Sequence, residues 1–272
     1  MRLRRSVVLL TATLAAARDA ILDESVDAAT LVAIMRSPSP APFLRDAAAD
    51  TAWLRERLLE NDGTKSALVE VRGAASTLER VGALVRALDG GGERGNCSLS
   101  DDPREKLEQV RQRFGCCSDH SELFLALASL AAVESREVLL PEHQIVEVLD
   151  PESRRWILID PQYGVQLVFA TGDPASLADL GLRRGTTVLL VPLPGNQELF
   201  ARERERRTAT YRIAAGSGRI GLTLGSNVGE MARRQRRLRW VARPARRALG
   251  TLAGYIPTHA TTRVTAGWIT FR

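Results

Sequence analysis

The chain has 272 residues, 44% of them hydrophobic and 26% charged, which is ordinary globular composition and excludes a disordered or collagen-like polymer. Its net charge of +6 is unevenly placed: residues 201–272 carry sixteen arginines against three acids, while residues 1–200 carry twenty-two basic and twenty-nine acidic side chains. An acidic body with a basic tail calls for an anionic partner or for docking of the tail on the body.

Residues 1–17 carry two readings. A basic start, Met1-Arg-Leu-Arg-Arg5, and a short apolar run ending at Ala15-Ala16-Ala17 have the parts of an export signal. Against this, Val7, Leu10, Leu14, Ala17 and Ile21 keep one helical spacing through the would-be cleavage point, as in the first helix of a mature chain. The run is too short to span a bilayer, and no other segment is long enough. Helix is expected again over 26–36, ended by the Pro-rich linker Ser37–Pro42, and over Asp46–Glu60 with Trp53, Leu54 and Leu58 on one side. Ser66–Leu88 reads as helix broken at Gly73 and at Gly82, Gly90–Gly95 as a loop, and Asp101–Arg113 as a polar helix.

The chemistry is concentrated in residues 114–160. Gly115-Cys116-Cys117-Ser118-Asp119 precedes an apolar stripe of Leu123, Leu127, Leu130 and Ala131, which places Cys117 at or just before a helix N-terminus. Orphan N–H groups and the helix dipole there favour the thiolate, the reactive form of cysteine. His143–Leu149 alternates as a strand, and Trp156–Asp160 reads as a second strand after the turn composition Asp150-Pro-Glu-Ser153. A hairpin centred between Pro151 and Glu152 sets Leu149 opposite Arg154 and His143 opposite Asp160. Opposed residues have Cβ atoms roughly 4.5–5.5 Å apart. A nucleophile, a base and an orienting carboxylate then follow in chain order. Asp160 before Pro161 also reads as a plain turn start. A zinc site built from Cys116, Cys117, His120 and His143 is the rival arrangement, but neighbouring cysteines chelate a tetrahedral ion poorly.

These three motifs, with Glu147 after His143 and Pro161 after Asp160, resemble the transglutaminase-like superfamily over roughly residues 70–170. The resemblance implies an α+β, papain-like core with a Cys-His-Asp triad of Cys117, His143 and Asp160. It implies acyl transfer through a Cys thioester; hydrolysis of an amide bond (a protease or deamidase) is expected over crosslinking because water needs no second binding site, and with no EF-hand-like acidic loop no calcium or other cofactor is expected. The same triad order also resembles arylamine N-acetyltransferases. A non-catalytic binding or scaffold module on the same fold is the alternative.

Three cysteines, Cys97, Cys116 and Cys117, do not make a disulfide framework; an odd count fits a free thiol and favours a reducing compartment. The cytoplasm is therefore expected, or export if residues 1–17 are a signal. Asn96-Cys97-Ser98 is formally a glycosylation acceptor.

Strands are expected at Val165–Ala170 and Thr187–Val191, the latter buried on the strength of its continuous apolar run, with a short helix over Ala175–Leu180 between them. Thr208–Ala214 and Ile220–Leu224 read as the strands of a hairpin, and Gly216–Gly221, although it matches G-x-G-x-x-G, as its turn. Val228–Leu249 reads as a basic amphipathic helix whose Arg233–Arg247 portion suits a membrane surface, polysaccharide or nucleic acid, or docks on the acidic body. Thr261–Arg272 alternates like one edge strand. The expected organisation is a helical region over 1–64, a transglutaminase-like core over 65–195 and a basic extension over 196–272.

Overall fold

The structure is a computed structural model that describes residues 55–89, 100, 102–112, 115–140, 143–182, 187–217, 219–223, 261–265 and 270–271. The expected elements at 1–54, the Gly90–Gly95 loop, the Asn96-Cys97-Ser98 acceptor and the basic helix Val228–Leu249 lie outside them.

Among the described residues, four helices precede the sheet. Asn61 ends a helical turn at 55–58 and caps α1 (Asp62–Gly73), its side chain accepting from the Thr64 N–H at 3.1 Å. Ser76 and Glu79 form a reciprocal capping box at the start of α2 (Thr77–Leu88). The break at Gly73 is present. Gly82, expected as a second break, lies inside α2. A Cβ there would sit 2.4 Å from the Pro194 carbonyl oxygen, so glycine serves close packing rather than a kink. Asp102 caps α3 (Pro103–Arg111), with proline in its first turn. The fourth helix, α4 (Cys117–Leu130), starts at the expected thiol.

An eight-stranded sheet follows, ordered β7-β6-β1-β2-β3-β4-β5-β8. Its strands are β1 (Ser135–Leu140), β2 (His143–Asp150), β3 (Arg155–Asp160), β4 (Val165–Phe169), β5 (Thr187–Pro192), β6 (Arg219–Thr223), β7 (Thr261–Thr265) and β8 (Thr270–Phe271). All neighbours are antiparallel except β5 and β8. Val146, Val148, Ile157 and Ile159 face the four helices, whose Val81, Leu84, Leu123, Phe124 and Leu127 complete one core. The opposite face carries Val138, Ile145, Leu158, Val165, Leu167 and Phe169 under Leu177, Leu180 and Tyr211. Each such buried aliphatic side chain contributes about 1.5–3 kcal/mol. Helices on one antiparallel sheet make the fold α+β, as expected.

Four expectations are corrected. Thr208–Ala214 is not a strand but part of α7 (Arg204–Ser217), which follows α6 (Gln197–Arg202); α5 is the short helix Leu177–Leu182. Leu199, Glu203, Arg207 and Tyr211 are all buried at a spacing of four, and two polar members hide that helical stripe from a hydrophobicity pattern. β6 therefore pairs with β1 and β7 instead. Thr261–Arg272 supplies two strands at opposite edges of the sheet rather than one. Only Val188 of β5 is fully buried, because its outer neighbour β8 is two residues long.

The fourth correction is the β2–β3 register. Leu149 pairs with Trp156 and Asp150 with Arg155, so the turn holds four residues, Pro151–Arg154. Arg154 takes a left-handed φ of 54° to close it. Asp150 builds this longer turn: its Oδ2 accepts from the Ser153 N–H at 3.1 Å and its Oδ1 from Thr77 Oγ1 of α2 at 2.7 Å. Continuing the register, Asp160 falls opposite Ile145, two residues from His143.

Candidate functional site

A two-residue shift keeps side chains on the same face, since the strand period is two. His143 opens β2 and Asp160 closes β3 at the same end of an antiparallel pair, so they become diagonal neighbours. Diagonal side chains are within reach when long enough. His143 Nε2 donates to Asp160 Oδ2 at 2.7 Å, and both side chains are buried.

The thiol comes from the helix layer. Cys116 is the N-cap residue of α4 and Cys117 its first helical residue. The Cys116 N–H donates to Asp119 Oδ2 at 2.9 Å, and His120 Nδ1 donates to the Cys116 carbonyl at 2.9 Å. Ser121 Oγ donates to the Gln144 carbonyl at 3.1 Å, tying the first turn of α4 to the start of β2. Gly115 permits this close approach: a Cβ there would lie 2.7 Å from Val110 Cγ2. Under Asp119 sits Lys106 of α3, buried, bonded to Glu122 and 3.4 Å from Asp119 Oδ1.

Cys117 is partly exposed and free, and it lies close enough to His143 to act on the charge of the imidazole. Since Nε2 is committed to Asp160, Nδ1 is the ring nitrogen left for the thiol. Burial pulls the pKa of His143 down, but the charge and hydrogen bond of Asp160, followed by the contacts of Cys117, outweigh it and raise the value to about 9. The imidazolium is thus the favoured form at neutral pH. Of the three sequence-predicted residues, His143 and Asp160 are in direct contact, and Cys117 acts on the same imidazole.

Comparison with family models, with curated proteins and with solved structures found no match.

The zinc alternative is not assembled. Cys116 is disulfide-bonded, His120 is spent on a backbone carbonyl, and among the described residues no cluster of three metal-ligating side chains occurs. The bond at Cys116 also removes the support that the cysteine count lent to a reducing compartment. The remaining cysteine, Cys97, lies outside the described residues, as does Arg233–Arg247 with its expected anionic partner. No helix among the described residues is long and apolar enough to cross a membrane. A groove of about 420 Å³ between the turn at Glu60 and Asn61 and helix α3, lined also by Arg104, Glu105, Glu108 and Gln109, touches none of the three site residues.

Sequence patterns missed the surroundings of Asp160. Its Oδ1 accepts from the Gln162 N–H at 2.9 Å and the Tyr163 N–H at 3.3 Å, so the turn role and the contact with His143 coexist in one carboxylate. Its Oδ2 also accepts from the Tyr211 hydroxyl at 2.8 Å. Tyr163 flanks the imidazole with ring centroids 5.6 Å apart. The short spacing from Asp160 to Tyr163 was a usable signal; nothing local pointed to Tyr211.

Proposed function

We propose that this chain is a transglutaminase-like cysteine enzyme with a papain-like site, hydrolysing an amide bond through a thioester. The observation that carries the reading is a single imidazole hydrogen-bonded to a buried carboxylate, beside a free thiol at a helix N-terminus that acts on its charge.

The Cys117 thiolate attacks the amide carbonyl carbon, forming the C–S bond and an oxyanion. The first N–H groups of α4 have no intrahelical acceptor, so the Cys117 N–H suits that oxyanion. His143 gives its proton to the leaving amine as the C–N bond breaks. Neutral His143 then takes a proton from water, the hydroxide attacks the thioester, and the thiolate departs. Asp160 holds the imidazole's orientation and offsets its charge in both steps. Water needs no second binding site, which favours hydrolysis over crosslinking.

The test is the rate of Cys117 alkylation by iodoacetamide against pH in the wild type and in His143→Ala, followed by amide and ester probes. Reactivity that persists well below about pH 8.5 and is lost in His143→Ala is the expected result. An ordinary thiol profile, the same in both proteins, would overturn the enzyme reading and leave a binding module.

A further inference from the structure

Four donors converge on Asp160. Three come from the neighbourhood of the β2–β3 end: His143 Nε2 and the backbone N–H groups of Gln162 and Tyr163. The fourth, Tyr211, comes from α7, 51 residues further along the chain. Tyr211 is 2% exposed, and its ring meets the His143 imidazole edge-on, with centroids 5.5 Å apart and planes at 76°. The adjacent residue Thr210 hydrogen-bonds the Tyr163 hydroxyl at 2.7 Å. Two consecutive residues of α7 thus reach the site: Tyr211 flanks the imidazole itself, and Thr210 holds Tyr163, the second ring beside it.

We propose that Tyr211 is a positioning residue of the Cys117–His143–Asp160 site, its hydroxyl sharing Asp160 Oδ2 with the imidazole and its ring setting the imidazole plane. The inference rests on the cysteine-enzyme reading and extends the site into the C-terminal third of the chain. The hydroxyl and the imidazolium draw on one oxygen, so the phenol withdraws part of the charge that would otherwise stabilise His143. Burial above all, and then the adjacent carboxylate, pushes the Tyr211 hydroxyl well above its usual pKa, which keeps it a neutral donor. The other charged group nearby, Arg207, lies one turn back on α7; it is bonded to the Phe200 carbonyl and stacked 3.5 Å over the Phe200 ring. Its guanidinium acts on Asp160, Tyr163 and Tyr211 through its field.

The experiment is a proton NMR titration of His143 in the full chain, one of three histidines, with His143→Ala assigning the resonance. In Tyr211→Phe the ring remains and Oδ2 belongs to the imidazolium alone, so the His143 pKa rises by about half a unit or more. With 3-fluorotyrosine at position 211, a stronger donor, it falls. A purely structural tyrosine would change the melting temperature and leave the titration in place. An unmoved or lowered pKa in Tyr211→Phe overturns the proposal; should that variant not fold, the 3-fluorotyrosine protein decides, and a pKa that is unmoved or raised there overturns it. Alkylation of Cys117 runs alongside. If His143→Ala alkylates like the wild type, the enzyme reading fails whatever the titration shows. If His143→Ala is slowed and the Tyr211 variants titrate like the wild type, only the role of Tyr211 fails.

Discussion

His143 Nε2 lies 2.7 Å from Asp160 Oδ2 with both side chains buried, and this contact couples the ionisation of the imidazole to folding. His143 titrates near pH 9 in the folded chain against an ordinary value of 6.5. A raised folded pKa contributes stability that is complete below the unfolded value and is lost as the pH rises through the folded one. Urea denaturation should therefore show stability falling between about pH 6.5 and 9, by on the order of 3 kcal/mol for this group. Asp160→Asn should flatten that slope while lowering stability at neutral pH.

On the same face of the sheet, Arg136 Nε donates to Glu147 Oε2 at 2.7 Å, and the guanidinium stacks 4.0 Å over Trp156. The other oxygen, Oε1, accepts from the Leu177 N–H at 2.6 Å and so seats α5. Glu147 is wholly buried. Glu147→Ala removes the carboxylate paired with a buried guanidinium and should cost about 3–5 kcal/mol in urea unfolding. Arg136→Met combined with Glu147→Leu should recover part of that loss, because a well-packed apolar pair carries no desolvation penalty.

Two glycines in the first helical pair should respond with opposite sign. At Gly73 a Cβ meets nothing within 4 Å, so Gly73→Ala should stabilise by about 0.5–1 kcal/mol through helix propensity and a less flexible unfolded chain. At Gly82 the Cβ meets the backbone of Pro194, and Asn196 Nδ2 donates to the Gly82 carbonyl at 3.1 Å. Gly82→Ala must push that loop away and should destabilise by about 1–3 kcal/mol. Thermal melts of the two variants give the comparison directly.

Lys106 is the cation beneath α4, the helix that starts at Cys117, and is buried against Asp119 and Glu122. Lys106→Met keeps the apolar stem and removes the charge. Two carboxylates near the start of α4 then lose a buried cation, which should lower stability by about 2 kcal/mol or more. Urea unfolding of Lys106→Met against the wild type measures that loss.

The sequence by itself determined the local elements of the site. The apolar spacing behind Cys117 set a helix beginning at the thiol, and the alternation from His143 with the apolar run to Asp160 set two strands of one hairpin, because these signals lie within one element or one turn. β1 had no alternation to announce it, and the helix over 204–217 was obscured by buried Glu203 and Arg207 in place of apolar residues. The register was decided by Asp150, whose contacts with Ser153 and with Thr77 of a distant helix lengthen the turn. His143 and Asp160 nevertheless met, since a shift of two residues returns every side chain to its own face. Tyr211 and Lys106 reach the site only through packing of elements far apart in the chain. No local pattern encodes such a meeting; the tertiary structure decides it, by burying polar groups together wherever each can satisfy the other.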